Sequence, residues 1–443
     1  YYILKPKHRW VLLLAASYYF YMSWKAEYAI LILFCTVINF IAGLYIDKTK
    51  EKGKRKAALA IALIISFGVL FVYKYLGFFT VSINSVIHMF NKNAGIPVFE
   101  LMLPVGISFF TFQTLSYTID VYRGTVPVEK HLGIFALYVS FFPQLVAGPI
   151  ERSDNLLPQL TKQSWFDLER TIQGLKYILW GLFKKMVVAD RLSPLVSTVY
   201  NDVNSYGSYA FIFATVAFAF QIFCDFSGYS DIAIGSAKII GIDLMKNFDR
   251  PYFSKSTGEF WRRWHISLSS WFKDYLYIPL GGSRRGKKRY IFNNMFTFAV
   301  SGLWHGANWT FVIWGVLNGI YTTCSKLLSG VKGKTVRALK LDKVPAIHRI
   351  FQVIITFCLI CFSWIFFRAN SLSDALYVIS HLVPSGTQGL KESLMGIGTA
   401  YKIGASVFFV IVMEAVQYFQ RNDNSVHKFF NKHISLRYIS YLF

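Results

Sequence analysis

An ionisable imidazole, that of His305, lies among glycine and tryptophan residues in a largely apolar run over residues 291–321. A single helix of that length would measure about 46 Å at about 1.5 Å per residue, well beyond a bilayer core of about 30 Å. The run therefore predicts either a strongly tilted helix or a helix broken near Gly302 and Gly306. A titratable group at membrane depth is costly unless it is solvated or paired. A histidine hydrogen-bonded between helices is the structural alternative, but the sequence favours a functional role for His305.

A second histidine, His265, lies in a segment with a strong helical pattern over residues 256–278, which opens with a capping-box sequence. One apolar stripe recurs there at helical spacing and consists of Phe260, Trp264, Leu268, Trp271, Tyr275 and Ile278. Because Arg262 and Arg263 lie off this stripe, the pattern predicts one amphipathic helix in the membrane interface. His265 would lie at the edge of its apolar face. The basic loop 284–289 that follows indicates the cytoplasmic side.

Polar side chains also occur at membrane depth in the segment 224–232, which contains Asp225, Tyr229 and Asp231 beside a predicted span. Gly228 permits a broken or re-entrant backbone, which at that depth must be buried in protein or line a water-filled cavity. Two roles stay open for the carboxylates. Either they line such a cavity, or they cap helices and pair with the arginines of the amphipathic segment.

Residues 148–152 and the five cysteines are given no catalytic or metal-binding role. Residues 148–152 (Gly-Pro-Ile-Glu-Arg) indicate a helix stop followed by an ion pair, and we interpret them as structural. The five cysteines all lie in or at the ends of apolar segments. We therefore expect neither a disulfide framework nor a zinc site or other metal centre.

The composition excludes an ordinary soluble protein. Hydrophobic residues make up 54% of the 443 residues and charged residues only 16%, and the mean hydropathy is +0.40. Apolar segments recur near residues 10–24, 27–46, 57–75, 103–121, 131–148, 171–189, 207–224, 291–321, 347–368 and 401–419. Most have the length of a helical span, so the sequence predicts an all-α polytopic membrane protein with roughly ten or eleven transmembrane helices.

No long polar linker interrupts this pattern, and we expect a single transmembrane domain over residues 1–443. The chain begins at Tyr1 without a methionine and ends, at residues 439–443, in what looks like the start of another apolar segment. We therefore expect both termini to be trimmed.

The net charge of +24 arises mainly from loops between apolar segments. Lysine and arginine concentrate at residues 48–56, 284–289 and 326–343. The positive-inside rule accounts for such clusters as cytoplasmic loops. A nucleic-acid partner is not needed to explain the charge.

Three motifs carry a resemblance to a known family. They are Phe260-Trp-Arg-Arg-Trp-His265, Tyr275-Leu-Tyr-Ile-Pro-Leu-Gly-Gly282 and Leu303-Trp-His-Gly-Ala-Asn-Trp-Thr-Phe311. Residues 104–113, 148–152, 181–185 and 225–235 match in the same order along the chain. The sequence resembles the membrane-bound O-acyltransferase family, and most of all its bacterial branch of alginate O-acetyltransferases and related polysaccharide acetylation proteins. The family usually has further membrane segments at both ends.

The resemblance implies a helical bundle with interfacial and re-entrant helices around a central tunnel, in the bacterial cytoplasmic membrane and its lipids. It implies transfer of an acyl group from a cytoplasmic thioester, with acetyl-CoA as the expected donor, to a hydroxyl acceptor. It places the family's near-invariant histidine at His305, and the histidine of the branch's Arg-Arg-Trp-His motif at His265. An extracytoplasmic esterase-like partner is expected to complete transfer onto an exopolysaccharide or cell-wall glycan.

This chemistry fits the residues. Acetyl transfer to a hydroxyl needs a base for the hydroxyl proton, and an imidazole that desolvation keeps neutral can serve, a role we assign to His305. His265 orients the thioester, acts as a second acid or base, or shapes the entrance. Arg262 and Arg263 are candidates to attract the phosphates of coenzyme A, although membrane topology alone would also place them there. Supporting positions around the tunnel are Trp304, Asn308, Asp225, Tyr229 and Asp231.

Two alternative functions follow from the same features. A transporter or flippase of a polymer precursor would also need polar residues within the membrane. An acyltransferase of the same family with another acceptor would serve teichoic-acid D-alanylation, or would acylate a lipid or a protein. The motif agreement favours polysaccharide acetylation.

Overall fold

The computed structural model describes residues 1–99, 101–383 and 390–420, and all regular structure in these ranges is helical. The segment 439–443, which the sequence marks as a further apolar element, lies outside them. In chain order the α-helices are α1 (Pro6–Met22), α2 (Ala29–Lys48), α3 (Lys52–Leu70), α4 (Leu76–Phe90), α5 (Ile107–Arg123), α6 (Leu132–Ser140), α7 (Ser153–Thr161), α8 (Leu168–Leu182), α9 (Asp190–Tyr200), α10 (Ser208–Ile239), α11 (Thr257–Arg263), α12 (Ile266–Phe272), α13 (Gly286–His305), α14 (Trp309–Leu327), α15 (Ser329–Ala338), α16 (Pro345–Arg368), α17 (Leu372–Ser380), α18 (Leu390–Ile397) and α19 (Ala400–Gln420).

Five helical stretches in the described part of the chain are long and apolar enough to cross a membrane. They are Ala26–Lys48, Lys52–Phe90, Ser208–Ile239, Pro345–Arg368 and Ala400–Tyr418. The longest of them joins α3 to α4 through a π-helical turn at Phe71–Tyr75. The predicted class, an all-α polytopic membrane protein, is confirmed. The larger number of ten or eleven spans and the central tunnel stay predictions.

One apolar segment, residues 131–148, does not form a helix of spanning length. Its helix α6 has nine residues, which corresponds to about 14 Å at 1.5 Å per residue. Phe135, Leu137, Tyr138 and Phe141 are fully buried in it. The segment is apolar because it packs inside the protein, and hydropathy alone does not distinguish that environment from lipid.

The contacts divide the chain into two compact units. The first comprises Tyr1–Leu182 and Phe226–Leu372, and the second contains, among described residues, 183–225, 373–383 and 390–420. Both candidate histidines belong to the first unit. The prediction of a single domain over residues 1–443 stays a prediction.

The core of the first unit joins α1, α2, α5, α6 and α7, and buried polar contacts fix it. The Asn39 amide donates to the Ser66 hydroxyl at 3.1 Å and accepts from the Thr118 hydroxyl at 2.7 Å, which ties α2 to α3 and α5. Gln113 of α5 donates to the Tyr138 carbonyl of α6 at 2.6 Å. Such hydrogen bonds hold helices together where apolar surfaces alone give little preference for one packing.

Helix α10 runs without interruption through Gly228, so the predicted broken or re-entrant backbone at this glycine is wrong. The glycines instead allow α8 and α10 to approach closely. A Cβ atom on Gly181 would lie 2.5 Å from the Gly228 carbonyl oxygen, and one on Gly235 would lie 2.4 Å from that of Gly174. The missing side chains therefore serve packing rather than a turn.

The second unit is held by contacts of its own. The Tyr200 and Thr215 hydroxyls are 2.8 Å apart, joining α9 to the first part of α10. The Phe211 and Tyr377 rings pack edge to face at 6.2 Å, and the Arg191 guanidinium lies 5.3 Å above the Phe409 ring. These contacts pack α9, α10, α17 and α19 together.

Candidate active site

His265 lies at a sharp break between two short helices. Ser256 caps α11 by accepting from the Glu259 amide at 3.2 Å, as the capping-box pattern predicts. The helix then ends at Arg263, and α12 begins only at Ile266. The single amphipathic helix predicted over residues 256–278 is therefore wrong at its centre. His265 has a left-handed backbone with φ of 46°.

A neighbouring segment, residues 247–249, takes over the hydrogen bonds that would have continued the helix. The Ile266 amide donates to the Asn247 carbonyl at 2.9 Å, and the Asp249 amide donates to the Arg263 carbonyl at 2.9 Å. A left-handed conformation costs a non-glycine residue about 1–3 kcal/mol and persists only where its surroundings hold it. Segment 247–249 supplies that support.

His305 is the last residue of α13, and the break that follows it agrees with the broken-helix alternative. Gly306 has an extended backbone, and the Asn308 side chain caps α14 by accepting from the Thr310 amide at 3.0 Å. Asn308, predicted as a supporting residue, thus fixes the turn after His305. The space beside Gly306 is filled, since a Cβ atom there would lie 2.2 Å from the Phe311 ring.

Helices α13 and α14 form a tight hairpin around two facing glycines. A Cβ atom on Gly302 would lie 2.2 Å from the Phe311 carbonyl oxygen, and one on Gly315 would lie 2.3 Å from that of Phe298. Small residues permit such close approach of helix backbones. The hairpin therefore holds His305 through backbone packing.

Two side chains from the turn between α3 and α4 cap the end of α13. The Lys74 ammonium donates to the Trp304 carbonyl and to the Ser108 hydroxyl, the latter at 3.0 Å. The Tyr75 hydroxyl donates to the Leu303 carbonyl at 3.1 Å. Carbonyl groups in the last turn of a helix have no partner within the helix, so these side chains satisfy groups that would otherwise be orphaned.

The two histidines meet in an aromatic chamber. Their ring centroids are 6.3 Å apart, and Trp304 packs against both, at 5.0 Å from His305 and 6.0 Å from His265. Each Nε2 atom is buried and has no hydrogen-bond partner among the residues that the structure describes. Further rings close the chamber; they are Phe226, Phe248, Trp314 and Phe367. Two unpartnered nitrogen atoms therefore lie among largely apolar rings.

A cavity of about 440 Å³ lies between the broken helix and α13. Arg262 and Lys273 contribute its cationic groups. On α13 it is lined by Asn294, Thr297, Phe298 and Ser301. Residues three or four apart share a helix face, so this wall leads to His305 one turn beyond Ser301. Two cationic side chains and the face of α13 that ends at His305 therefore border one cavity.

Not every predicted site residue lines this space. Arg263 forms an ion pair with Glu259 at 2.6 Å, and Asp225 pairs with Lys185 at 2.6 Å. The predicted pairing between the carboxylates and the arginines is therefore wrong for Arg263 and Asp225. Both aspartates lie within α10, so neither caps that helix, and Asp231 is half-buried there.

Tyr229 lies further along α10 and packs against the apolar core of the first unit. Its hydroxyl meets the backbone of Val146 and Ala147. The structure thus gives Tyr229 a packing environment, while Trp304, His265 and His305 come together.

Glu151 is buried and anchors the chain that leads to segment 247–249. Its carboxylate accepts from the Met245 amide at 2.5 Å and from the Asn155 amide at 2.7 Å. Burial raises its pKa to about 7. Arg152 pairs with Asp274 at 3.1 Å, so the expected ion pair joins residues 148–152 to the turn after α12.

Sequence reasoning missed Lys74 and Asn247. A lone lysine inside the apolar segment 57–75 was the available signal for Lys74, since a charge at that depth needs a partner. Asn247 gave no comparable signal, because its role depends on contacts with residues about twenty positions away along the chain.

Comparison with known proteins places this sequence in a family. The sequence profile of the membrane-bound O-acyltransferase family matches residues 12–369. A probable alginate O-acetylase of Azotobacter vinelandii is 36% identical over 93% of this chain and 80% of its own length. The peptidoglycan O-acetyltransferase of Helicobacter pylori is 33% identical over 84% of this chain and 73% of its own.

A more distant relative, the teichoic acid D-alanyltransferase of Bacillus subtilis, is 27% identical over 62% of this chain and 71% of its own. These matches support the acyltransferase prediction over the transporter alternative. The predicted enzyme class, an O-acyltransferase, is confirmed. The chain belongs to the membrane-bound O-acyltransferase family.

Proposed function

We propose that this enzyme moves an acetyl group from a cytoplasmic thioester, acetyl-CoA being the expected donor, for O-acetylation of an extracytoplasmic polysaccharide. The relatives named for O-acetylation of alginate and of peptidoglycan support acetate as the group and a glycan as the acceptor. Because these relatives are bacterial, we assign the protein to a bacterial cytoplasmic membrane. An extracytoplasmic esterase-like protein is the expected partner for the final transfer.

The observation that carries this proposal is the pair of buried imidazoles with unpartnered Nε2 atoms. In the proposed reaction the acceptor hydroxyl attacks the thioester carbonyl through its oxygen. The Nε2 atom of His305 takes the proton of that hydroxyl in the same step. A C–O bond forms, the C–S bond breaks, and the proton passes to the departing thiolate. His265, facing the same space, holds the thioester or assists this proton transfer.

Two buried indole N–H groups support stabilisation of the developing oxyanion in this proposal. The indole N–H groups of Trp304 and Trp314 are buried beside His305 and have no acceptor among the described residues. A preorganised donor in a site shielded from water stabilises the tetrahedral intermediate more than it stabilises the substrate. Both indoles are therefore candidates for this role.

The cavity beside α13 supports entry of the donor from the side of the basic loop 284–289. Arg262 and Lys273 lie on it and suit the phosphates of coenzyme A. Arg263 acts less directly in this proposal, because its ion pair with Glu259 engages its charge.

Replacement of His305 by alanine tests the proposal. In cells whose own copy has been deleted, ester-linked acetate on envelope polysaccharide should fall at least about 100-fold, the usual contribution of an acid–base catalyst. His88→Ala is the matched control, since His88 is exposed near the end of α4. Near-normal acetate from a normally accumulating His305→Ala protein would contradict the mechanism. Ester-linked D-alanine in place of acetate would show another acceptor chemistry.

A further inference from the structure

Asn247 holds the break at His265 with both its backbone and its side chain. Its carbonyl accepts from the Ile266 amide, as described above. Its side-chain oxygen Oδ1 accepts from the Ser267 amide at 3.2 Å and from the Ser267 hydroxyl at 3.0 Å. The same oxygen lies 3.3 Å from Nδ1 of His265. Asn247 and His265 are both about 1% exposed, so water does not compete for these bonds.

These contacts determine which nitrogen of His265 carries the proton. A backbone amide can only donate, so the Asn247 atom that faces the Ser267 amide must be the oxygen. The amide nitrogen correspondingly points to the Ser230 hydroxyl at 3.4 Å. An oxygen acceptor next to Nδ1 requires a proton on Nδ1. In a neutral ring the lone pair is then on Nε2.

That Nε2 atom is buried, has no partner in the described part of the chain, and belongs to the ring that faces His305. We propose that Asn247 is a positioning residue for acyl transfer, which fixes the tautomer and orientation of His265 so that its Nε2 lone pair is presented to the reaction chamber. This inference rests on the proposed participation of His265. It assigns contact with the substrate to Nε2, while Nδ1 is held by its hydrogen bond to Asn247.

A double-mutant cycle tests this coupling. The initial rate of acetate incorporation is measured in cells that carry only the full-length wild type, Asn247→Leu, His265→Ala or the double variant. Asn247→Leu should lower the rate about 10- to 100-fold and add less than about twofold in the His265→Ala background, because its effect passes through His265. In inverted membrane vesicles supplied with labelled acetyl-CoA, the loss should lie in kcat, with KM changed less than about twofold.

Two further variants keep the test decisive. Asn247→Asp retains an oxygen acceptor for Nδ1 and should be at least about tenfold more active than Asn247→Leu. If the activity of His265→Ala is too low to measure, this comparison replaces the double-mutant cycle as the deciding test. Asn293→Leu removes another buried asparagine, one that donates to the Leu280 and Gly282 carbonyls. Its effect should multiply with that of His265→Ala.

The outcomes separate this inference from the proposed function. Full activity of His265→Ala would refute participation of His265 itself. An impaired His265→Ala together with an unimpaired Asn247→Leu would refute only the role of Asn247. Three outcomes would show that Asn247 serves the fold alone. The effects of Asn247→Leu and His265→Ala multiply, or Asn247→Leu and Asn247→Asp are equally active. The third is that both Asn247 variants fail to accumulate although His265→Ala accumulates.

Discussion

The two histidines of the chamber are held in different ways. His305 ends a helix of twenty residues whose hairpin partner packs against it backbone to backbone. His265 lies between two helices of seven residues each, and a segment distant in sequence holds it through hydrogen bonds. The first arrangement depends on the absence of side chains at glycines, and the second on the presence of one asparagine. Two neighbouring histidines can therefore be positioned differently, one by backbone packing and the other by hydrogen bonds.

The largest effect is expected from Gly302→Ala, which breaks the packed arrangement. The added Cβ atom would meet the Phe311 carbonyl oxygen at 2.2 Å, and a backbone atom cannot move without shifting the helix. Overpacking costs about 1–3 kcal/mol and occasionally more, and an obstacle that belongs to the backbone puts this variant at the upper end. The variant should fail to accumulate in membranes, as measured by immunoblot of the membrane fraction.

Two other glycines serve as controls for that variant. Gly53→Ala should accumulate normally, because no described residue beyond its own helical turn lies within 4 Å of the added atom. At Gly306 the obstacle is the Phe311 ring, which can rotate, so Gly306→Ala should accumulate better than Gly302→Ala. Equal accumulation of the Gly302 and Gly53 variants would show that the hairpin is not held by backbone contact.

The next largest effect concerns the hydrogen-bonded arrangement and its dependence on pH. Burial raises the pKa of Glu151 to about 7 from an ordinary 4.5, so the folded protein favours the protonated carboxyl. The stability that this provides is complete below about pH 4.5 and is lost as the pH rises through 7, by up to about 3 kcal/mol. Glu151→Gln stays neutral and keeps an acceptor for the Met245 amide.

Thermal unfolding in detergent between pH 4.5 and 8 measures this difference. The midpoint of the wild type should fall relative to that of Glu151→Gln as the pH rises. Asp154→Asn controls for a neighbouring carboxyl, because Asp154 is exposed. Parallel curves for the wild type and Glu151→Gln would mean that Glu151 does not titrate in this range.

The smallest effect is expected from Lys74→Met, which removes one of the two side chains that cap α13, leaves Tyr75 in place and leaves the helix packing intact. A buried carbonyl without a partner costs about 2 kcal/mol, and the last turn that carries His305 should loosen. Acetate incorporation should fall about tenfold while accumulation stays near normal. Lys54→Met is the control, since Lys54 is exposed and pairs with the exposed Glu51. Activity equal to that of the control would show that α13 does not need the Lys74 cap.

The sequence predicted the parts of the site that local patterns encode. The break after His305 followed from the length of an apolar run and its glycines, and the helix cap at Ser256 followed from a four-residue pattern. The break at His265 did not follow, because the apolar stripe continues through it unchanged. Its cause is segment 247–249, and helical periodicity contains no information about hydrogen bonds to a distant segment.

The same limit explains the other differences. The sequence predicts a span at residues 131–148, because burial in protein and exposure to lipid select the same side chains. Gly228 predicts a broken backbone, because glycine occurs both in turns and where helices pack closely. Only the position of α8 decides between the two. The charge of Asp225 required a partner, but its spacing did not identify Lys185.

The hydrogen-bonding groups that hold the site have an order along the chain. Lys74, Tyr75, Glu151 and Asn247 all precede the histidine that each supports. Synthesis from the amino terminus therefore delivers the supports before the imidazoles leave the ribosome. His265 is synthesised after Asn247, which holds it, and the end of α13 is synthesised after its two capping residues, Lys74 and Tyr75. The aromatic chamber is thus completed late during biogenesis, when α13 and α14 follow the groups that hold it.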